Sequence, residues 1–240
     1  MNVLAFDTCF DACSVAVGRG LRSLTPVIAE RFEAMQVGQA ERLMPMIEET
    51  MLEAGMTFNM LDRIAVTFGP GTFTGTRIGI AAARALSLVC GAPIVTVSSL
   101  ALMALNPEIA NIQRRTLAIA TDARRGEAYI ERFDSRTFQS IGGPAVLSFA
   151  DAVHALGSAP ALIAGSAASA IAAEAQAQGR DVRAILPGLL PDALDMLFCA
   201  AALPVIEKPA PLYLRPPDAK PPAPSPFFGP IFGPIFGAEA

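Results

Sequence analysis

Apolar positions along this 240-residue chain come in short blocks whose spacing changes between two and nearly four, and those changes locate the elements. Val3-Leu-Ala-Phe6 reads as a buried strand and Cys13-Ser-Val-Ala-Val17 as a second one, joined by a connection that contains Asp7, Thr8 and Asp11, so the pair is expected to open a sheet as a hairpin. A third extended run spans Val27 to Phe32, with Pro26 limiting where it pairs. From Glu41 to Ala54, Met44, Ile47 and Met51 share one helical face while Glu48, Glu49 and Glu53 lie elsewhere, Gly55 offers the stop, and Pro45 belongs near the first turn or at a kink. Arg63 to Phe68 is a strand that runs straight into Gly69. A helix from Phe73 to Cys90 follows, closed by Gly91 and Pro93, and then a strand at Ile94 to Val97. Strand, helix, strand with no hairpin between predicts a parallel crossover.

After a helical Ser99 to Leu105 the pattern restarts. Thr116 to Asp122 is again an apolar strand ending in an acid, and Glu127 to Phe133 alternates like the second arm of a hairpin, which predicts a duplicated lobe. Ala161 to Ser166 reads as another strand and turn, followed by an Ala-rich helix to about Gln178 and a last helix from Asp192 to Leu203. Residues 152–173 lack Asp, Glu, Lys and Arg, but Gly157, Pro160 and Gly165 break the stretch into two short buried elements and no membrane span is expected. The chain thus divides into a first lobe at 1–106, a second at 107–205 and a Pro-rich segment at 206–240. In that last segment Phe228-Gly-Pro-Ile repeats at Phe232 before Phe236-Gly, and a disordered tail is expected.

Composition narrows the function classes. A formal charge of −4 leaves no overall positive field to hold a phosphate backbone, so tight unaided nucleic-acid binding is not expected. A chain that is 52% hydrophobic and 17% charged suggests that another protein covers part of its surface. Cys9, Cys13, Cys90 and Cys199 form no C-x-x-C pair, which indicates buried thiols in a reducing compartment rather than a disulfide frame or a zinc site. The start has no basic leader, and a cytoplasmic location is expected.

The richest segment is Gly69-Pro-Gly-Thr-Phe-Thr-Gly-Thr-Arg-Ile-Gly79. Gly69 and Gly71 permit a tight turn around Pro70, and Thr72 or Thr74 can cap the helix that follows. Two readings stand side by side: backbone N–H groups that point outward to hold an anion, or a tight crossover and nothing more. It is not a Walker A loop, because no Lys-Ser or Lys-Thr pair follows. Inside the helix, Gly75, Gly79 and Ala83 recur every four residues and make a groove flanked by Ile78, Ala81, Ala82, Ala85 and Val89. Such a groove suits close helix packing, within the lobe or against a partner.

Five motifs together carry a resemblance. Asp7-Thr8 with Ala12-Cys-Ser-Val-Ala16, Glu41-Arg-Leu-Met-Pro45, the long Gly69 motif, Asp122-Ala-Arg-Arg-Gly-Glu-Ala-Tyr129 and Pro211-Leu-Tyr-Leu-Arg215 occur in the order and spacing of the TsaB (YeaZ) family, over residues 1–216. The resemblance implies an α/β ASKHA fold, the duplicated ribonuclease-H-like architecture of actin, Hsp70 and sugar kinases. It implies a non-catalytic subunit supporting a TsaD-like transferase that places a threonylcarbamoyl group on N6 of adenosine 37 in tRNAs reading ANN codons. A TsaE-like ATPase joins the pair, tRNA is reached only through the complex, and the isolated subunit forms a homodimer through the helices that meet TsaD. The residues expected at that interface are Met44, Ile47, Met51, Gly75, Ile78, Gly79, Ala82, Ala85 and Val89.

No catalytic residue, metal ligand or cofactor of its own is expected, with ATP or ADP confined to the assembled complex. His154 is the single histidine and cannot build a TsaD-like metal site; a surface or helix-end position is expected for it. No G-x-S-x-G elbow accompanies it. Asp7, Thr8 and Ser14 occupy the place where ASKHA ATPases contact phosphate, so either a nucleotide site or a self-stabilised hairpin is open there, with Gly69, Gly71 and Thr72 as the anion-holding backbone if the first reading of that turn holds. A stand-alone ATPase or kinase-like enzyme is the alternative function. Asp122, Arg124 and Arg125 hold the equivalent place in the second lobe, as a solvated turn or as an approach site for a partner or tRNA. One departure is that Gln36 to Ala40 stands where many family members have a histidine.

Overall fold

The computed structural model describes residues 1–110 and 116–215. The first sheet is built from β1 (Val3–Asp7), β2 (Ala12–Arg19), β3 (Val27–Ala34), β4 (Arg63–Thr67) and β5 (Ile94–Val97), in the order β3-β2-β1-β4-β5. The β1–β2 and β2–β3 pairs are antiparallel, with Asp7 opposite Ser14. The β1–β4 and β4–β5 pairs are parallel. All of β1 and nearly all of β2 are buried, which is why they read as unbroken apolar runs rather than alternating ones. Helices α1 (Gln39–Glu53) and α2 (Phe73–Cys90) cover one face, where Leu4, Phe6, Val15 and Val17 pack with Leu43, Met46, Ile47, Ile64, Ala83 and Leu86.

Helix α2 has the expected bounds. Thr72 caps it by accepting from Gly75 N at 3.0 Å, and Gly91 ends it at φ 75°. Helix α1 starts two residues earlier than expected, so Pro45 lies in its second turn.

The chain then enters α3 (Ser99–Ala104) and α4 (Pro107–Ala110) and repeats the design. Strands β6 (Thr116–Asp122), β7 (Glu127–Phe133), β8 (Ser140–Ser148), β9 (Ala161–Ala164) and β10 (Val182–Ile185) form a sheet of order β10-β9-β6-β7-β8, the first order with β6 in the place of β1. Antiparallel and parallel pairs fall in the same places, so the duplicated ribonuclease-H-like, ASKHA architecture is what the chain adopts. Helices α5 (Phe149–Ala155) and α6 (Ala168–Ala177) cover its outer face. Between the sheets, Leu100, Met103 and Ala104 of α3 meet Leu117, Ile119 and Phe133, and Cys9 and Phe10 join them from the first hairpin.

The last helix corrects the expected lobe boundary. Helix α7 (Ala193–Cys199) is shorter than expected and packs on the first sheet, with Ala193, Met196 and Leu197 against Val3, Ala5 and Ala16. Val205 bridges to Val95. Residues 193–205 therefore complete the first lobe, because β1 and β2 would otherwise leave their second face bare. Strands β8 and β10 were not anticipated. The Phe-Gly-Pro-Ile repeats lie outside the described residues. Among the described residues no helix is long and apolar enough to cross a membrane.

Candidate functional site

The head of α2 meets the β1–β2 hairpin, and the two interlock. Gly69 holds φ 103°, which the tight turn needs. Thr72 N donates to Cys9 O at 2.7 Å and Thr8 Oγ1 donates to Gly75 O at 2.7 Å. Ser99 N donates to Gly69 O at 2.9 Å, and Ser99 Oγ donates to Pro70 O. A β-carbon on Gly71 would collide with the Cys9 carbonyl, and one on Gly75 with the Thr8 carbonyl. The glycines are thus needed for backbone against backbone.

Three of the backbone N–H groups at this helix head are turned inward rather than out toward an anion. The hairpin carbonyl of Cys9 takes the Thr72 N–H, Thr72 Oγ1 takes that of Gly75, and Thr76 N turns back to Thr72 O at 3.1 Å. Asp7, Thr8 and Ser14 are buried. Asp7 accepts from Thr67 Oγ1 and, at 3.2 Å, from Cys9 N, and burial raises its pKa to about 6, with the charge of Asp192 adding to the rise. Ser14 Oγ accepts from Ala193 N at 3.0 Å, so α7 closes the far side. For Asp7, Thr8 and Ser14 this geometry favours the self-stabilised hairpin, and for Gly69, Gly71 and Thr72 the tight crossover.

The open surface lies on the outside of α1 and α2. Leu88 is 88% exposed, Val89 82% and Leu52 81%; Phe73, Met44 and Ala85 are also exposed. On α2, residues Phe73, Arg77, Ala81, Ala85 and Val89 follow each other at four-residue spacing down that side, all exposed. The same structure corrects part of the expected interface. Ile47 and Met51 are buried in the lobe core with Leu43, Met46 and Thr50. Gly75 and Gly79 face inward, toward Thr8 and Val66. Ile78 and Ala82 are half-buried against that core. Met44, Ala85 and Val89 remain on the surface. Phe73, Leu52 and Leu88 were missed, although each is an apolar residue standing outside the inward-facing periodicity of its helix.

Ion pairs set how α1 lies on the edge strand β3. Arg42 donates to Glu33 at 2.6–2.9 Å and to Glu49 at 2.8–3.1 Å, and Arg31 donates to Glu49 at 3.1 Å and to Glu53 at 2.6 Å. The Arg42 hydrogen bonds hold the Glu33 and Glu49 carboxyls below their usual range.

A final strap joins the lobes across the head of α2. Leu212 N donates to Phe68 O at 2.8 Å. Tyr213 stacks on Phe73 with ring centroids 5.4 Å apart, and Arg77 lies 3.6 Å over the Phe73 ring while donating to Tyr213 Oη at 2.6 Å. Two residues on, Arg215 donates to Ala123 O at 3.1 Å and pairs with Glu127. In the second lobe, Asp122 is exposed and accepts from Arg124 N at 2.8 Å, while Arg124 and Arg125 hold φ 64° and 60°. His154 is exposed in the last turn of α5. Among the described residues no three His, Cys, Asp or Glu side chains gather as metal ligands would.

With this geometry in view, the chain was compared with known proteins. The family model described as TsaD, tRNA N6-adenosine threonylcarbamoyltransferase, matches residues 33–219. The tRNA threonylcarbamoyladenosine biosynthesis protein TsaB of Escherichia coli K12 is 36% identical over 129 residues, 54% of this chain and 53% of that one. The chain thus spans about half the length of the first curated relatives it matches. An uncharacterized protein of Mycobacterium tuberculosis H37Rv is 35% identical over 225 residues, 92% of this chain and 94% of its own length. The solved structure of YeaZ from Pseudomonas aeruginosa superposes with a TM-score of 0.71 at 29% identity, covering 89% of this chain and 99% of that one. From a family model that spans most of the chain, TsaB relatives in sequence and a YeaZ structure that spans both lobes, the chain belongs to the TsaD-like family and, within it, to the TsaB (YeaZ) proteins.

Proposed function

We propose that this chain is a non-catalytic subunit of the machinery that installs a threonylcarbamoyl group on N6 of adenosine 37 in tRNAs reading ANN codons. Its task is to hold a TsaD-like transferase on the outer face of α1 and α2. The observation that carries this reading is the pairing of a sealed hairpin with an exposed apolar helix face. Asp7, the carboxylate an ASKHA ATPase would use, has no exposed surface, whereas Leu88 and Val89 are largely in water. An apolar stripe of this kind gains free energy when another helix covers it.

In this reading the isolated chain pairs with a second copy through the same face, and a TsaE-like ATPase joins the assembled pair. ATP or ADP is held by the complex, and tRNA is reached through it. The buried Asp7 weighs against the stand-alone ATPase or kinase.

The test is reconstitution. A TsaD-like transferase with its threonylcarbamoyl donor and tRNA is assayed with this chain, without it, and with the Leu88→Glu variant. Modified tRNA is expected only with the unaltered chain. Equal product in all three reactions would discard the proposal.

A further inference from the structure

One edge of the second sheet sets an open hydrogen-bond ladder beside an unpaired cation. Strand β10 ends the strand order with β9 on one side, and among the described residues nothing pairs with its other side. Ala161 N donates to Asp181 O at 3.0 Å, so by the alternation of a parallel strand Arg183 and Ile185 turn their backbone groups toward β9, and Val182 and Ala184 turn theirs outward. Val182 N donates to Arg180 O at 3.1 Å, which leaves Val182 O and both groups of Ala184 for a neighbour. The side chains of Val182 and Ala184 share a sheet face. With Ser169, Ala172 and Gln176 of α6 they line a groove of about 360 Å³.

Arg180, just before β10, lines the same groove. Its Nη2 is closed off from solvent and has no hydrogen-bond partner among the described residues. The neighbouring carboxylate, Asp181, pairs instead with Arg183 at 3.4 Å. A buried guanidinium nitrogen without an acceptor costs free energy, and a carboxylate that reaches it removes that cost.

We infer that this groove takes an extended segment of a second protein, which adds to β10 as a further strand and brings a Glu or Asp side chain to Arg180. The open ladder holds the segment's backbone, and the small side chains of α6 leave room for every second residue. Arg180 selects the acid. A second copy of this chain, edge to edge, fits poorly, because it brings two more arginines and an acid that is already paired. The groove belongs to the second lobe, whereas α1 and α2 belong to the first, so this occupant is separate from the transferase and does not rest on the function proposed above.

The experiment titrates the full chain with the capped peptide acetyl-Thr-Val-Glu-Val-Thr-amide, with its Gln counterpart and with acetate, followed amide by amide in NMR spectra. The Glu peptide is expected to bind about tenfold tighter than the Gln peptide and to shift the Ala184 amide. Arg180→Met is expected to erase that difference. Ala184→Pro removes an outward N–H at an edge that tolerates proline, and is expected to weaken both peptides about tenfold at an unchanged denaturation midpoint. Should the proline variant lose its fold, the Glu and Gln peptides and Arg180→Met decide alone. Equal affinity of the two peptides for the unaltered chain would overturn the inference, as would an unmoved Ala184 amide with either peptide at about a millimolar. Acetate that binds as tightly as the Glu peptide, and as dependent on Arg180, would overturn it too, by reducing the groove to a site for a small anion.

Discussion

The two lobes share one strand order and differ at one turn. In the first lobe, the turn after β1 is clamped between the head of α2 and the start of α7, with Asp7 buried and Gly75 pressed on the Thr8 carbonyl. In the second lobe, the turn after β6 is open, with Asp122, Arg124 and Arg125 exposed and Gly126 meeting nothing within 4 Å of where a β-carbon would be. The outer helices differ in the same sense. Helix α2 has 18 residues and ends in exposed Leu88 and Val89, whereas α6 has 10 residues and is mostly alanine. Topology survives duplication because the buried strands set register and order. Turns and outer helix faces are free to diverge, and the first lobe has spent that freedom on a sealed hairpin and an apolar exterior.

The largest expected effect breaks the contrast at its glycines. Gly75→Ala drives a β-carbon into the Thr8 carbonyl and is expected to destabilise the fold by about 3 kcal/mol, seen as a lower denaturation midpoint. Gly126→Ala has room and loses only what its φ of 73° requires, about 1 kcal/mol. Equal losses at the two positions would mean that the first turn is not clamped as described.

Next comes pH. The Asp7 pKa rises from 3.8 to about 6 on folding, so the native state holds this proton more tightly than the unfolded chain. Stability is therefore expected to fall as pH rises from 3.8 through about 6, by on the order of 3 kcal/mol in all, and to lose nothing more from this group above that window. Asp195, raised to about 6 by partial burial, acts in the same direction. The paired Glu33 and Glu49 act in the opposite sense, stabilising above the ordinary carboxylate range and less as pH drops below it. Urea titrations of Asp7→Asn should show a flatter profile in this window. A slope that persists in Asp7→Asn would reassign the effect.

The smallest effect concerns the strap. Tyr213→Ala removes the stack on Phe73 and the Arg77 hydrogen bond and is expected to cost about 1 kcal/mol. Amide exchange should speed up near Phe68 and Ala123 rather than in the sheet cores, and an unchanged pattern there would count against a strap between lobes.

Much of this contrast was legible in the sequence, and the parts that were not have physical causes. Helix Phe73–Cys90 and strands Ile94–Val97, Thr116–Asp122 and Glu127–Phe133 have the bounds their patterns predict, because clear caps or alternation mark them. Strand β8 was hidden by Gly142, Gly143 and Pro144, which sit where its pairing with β7 shifts register. Strand β10 is a four-residue edge carrying Arg183. On α1 the Met44, Ile47 and Met51 set is real, but its centre faces the core, and a helix with apolar residues on two sides does not announce which side is inward. The closing of the Gly69 turn was out of reach for another reason. The carbonyls that fill it belong to Thr8 and Cys9, some sixty residues earlier, and only tertiary structure brings them there.

The account turns on the outer face of α2, and an affinity titration against a TsaD-like transferase tests it most directly. Leu88→Glu puts a carboxylate at the C-terminal end of the exposed apolar stripe while leaving the lobe core untouched, since Leu88 is 88% exposed. Binding is expected to weaken by about thirtyfold or more, whereas Ala173→Glu on the exposed side of α6 should leave it unchanged. A folded Leu88→Glu chain that binds as tightly as the unaltered one would contradict the account.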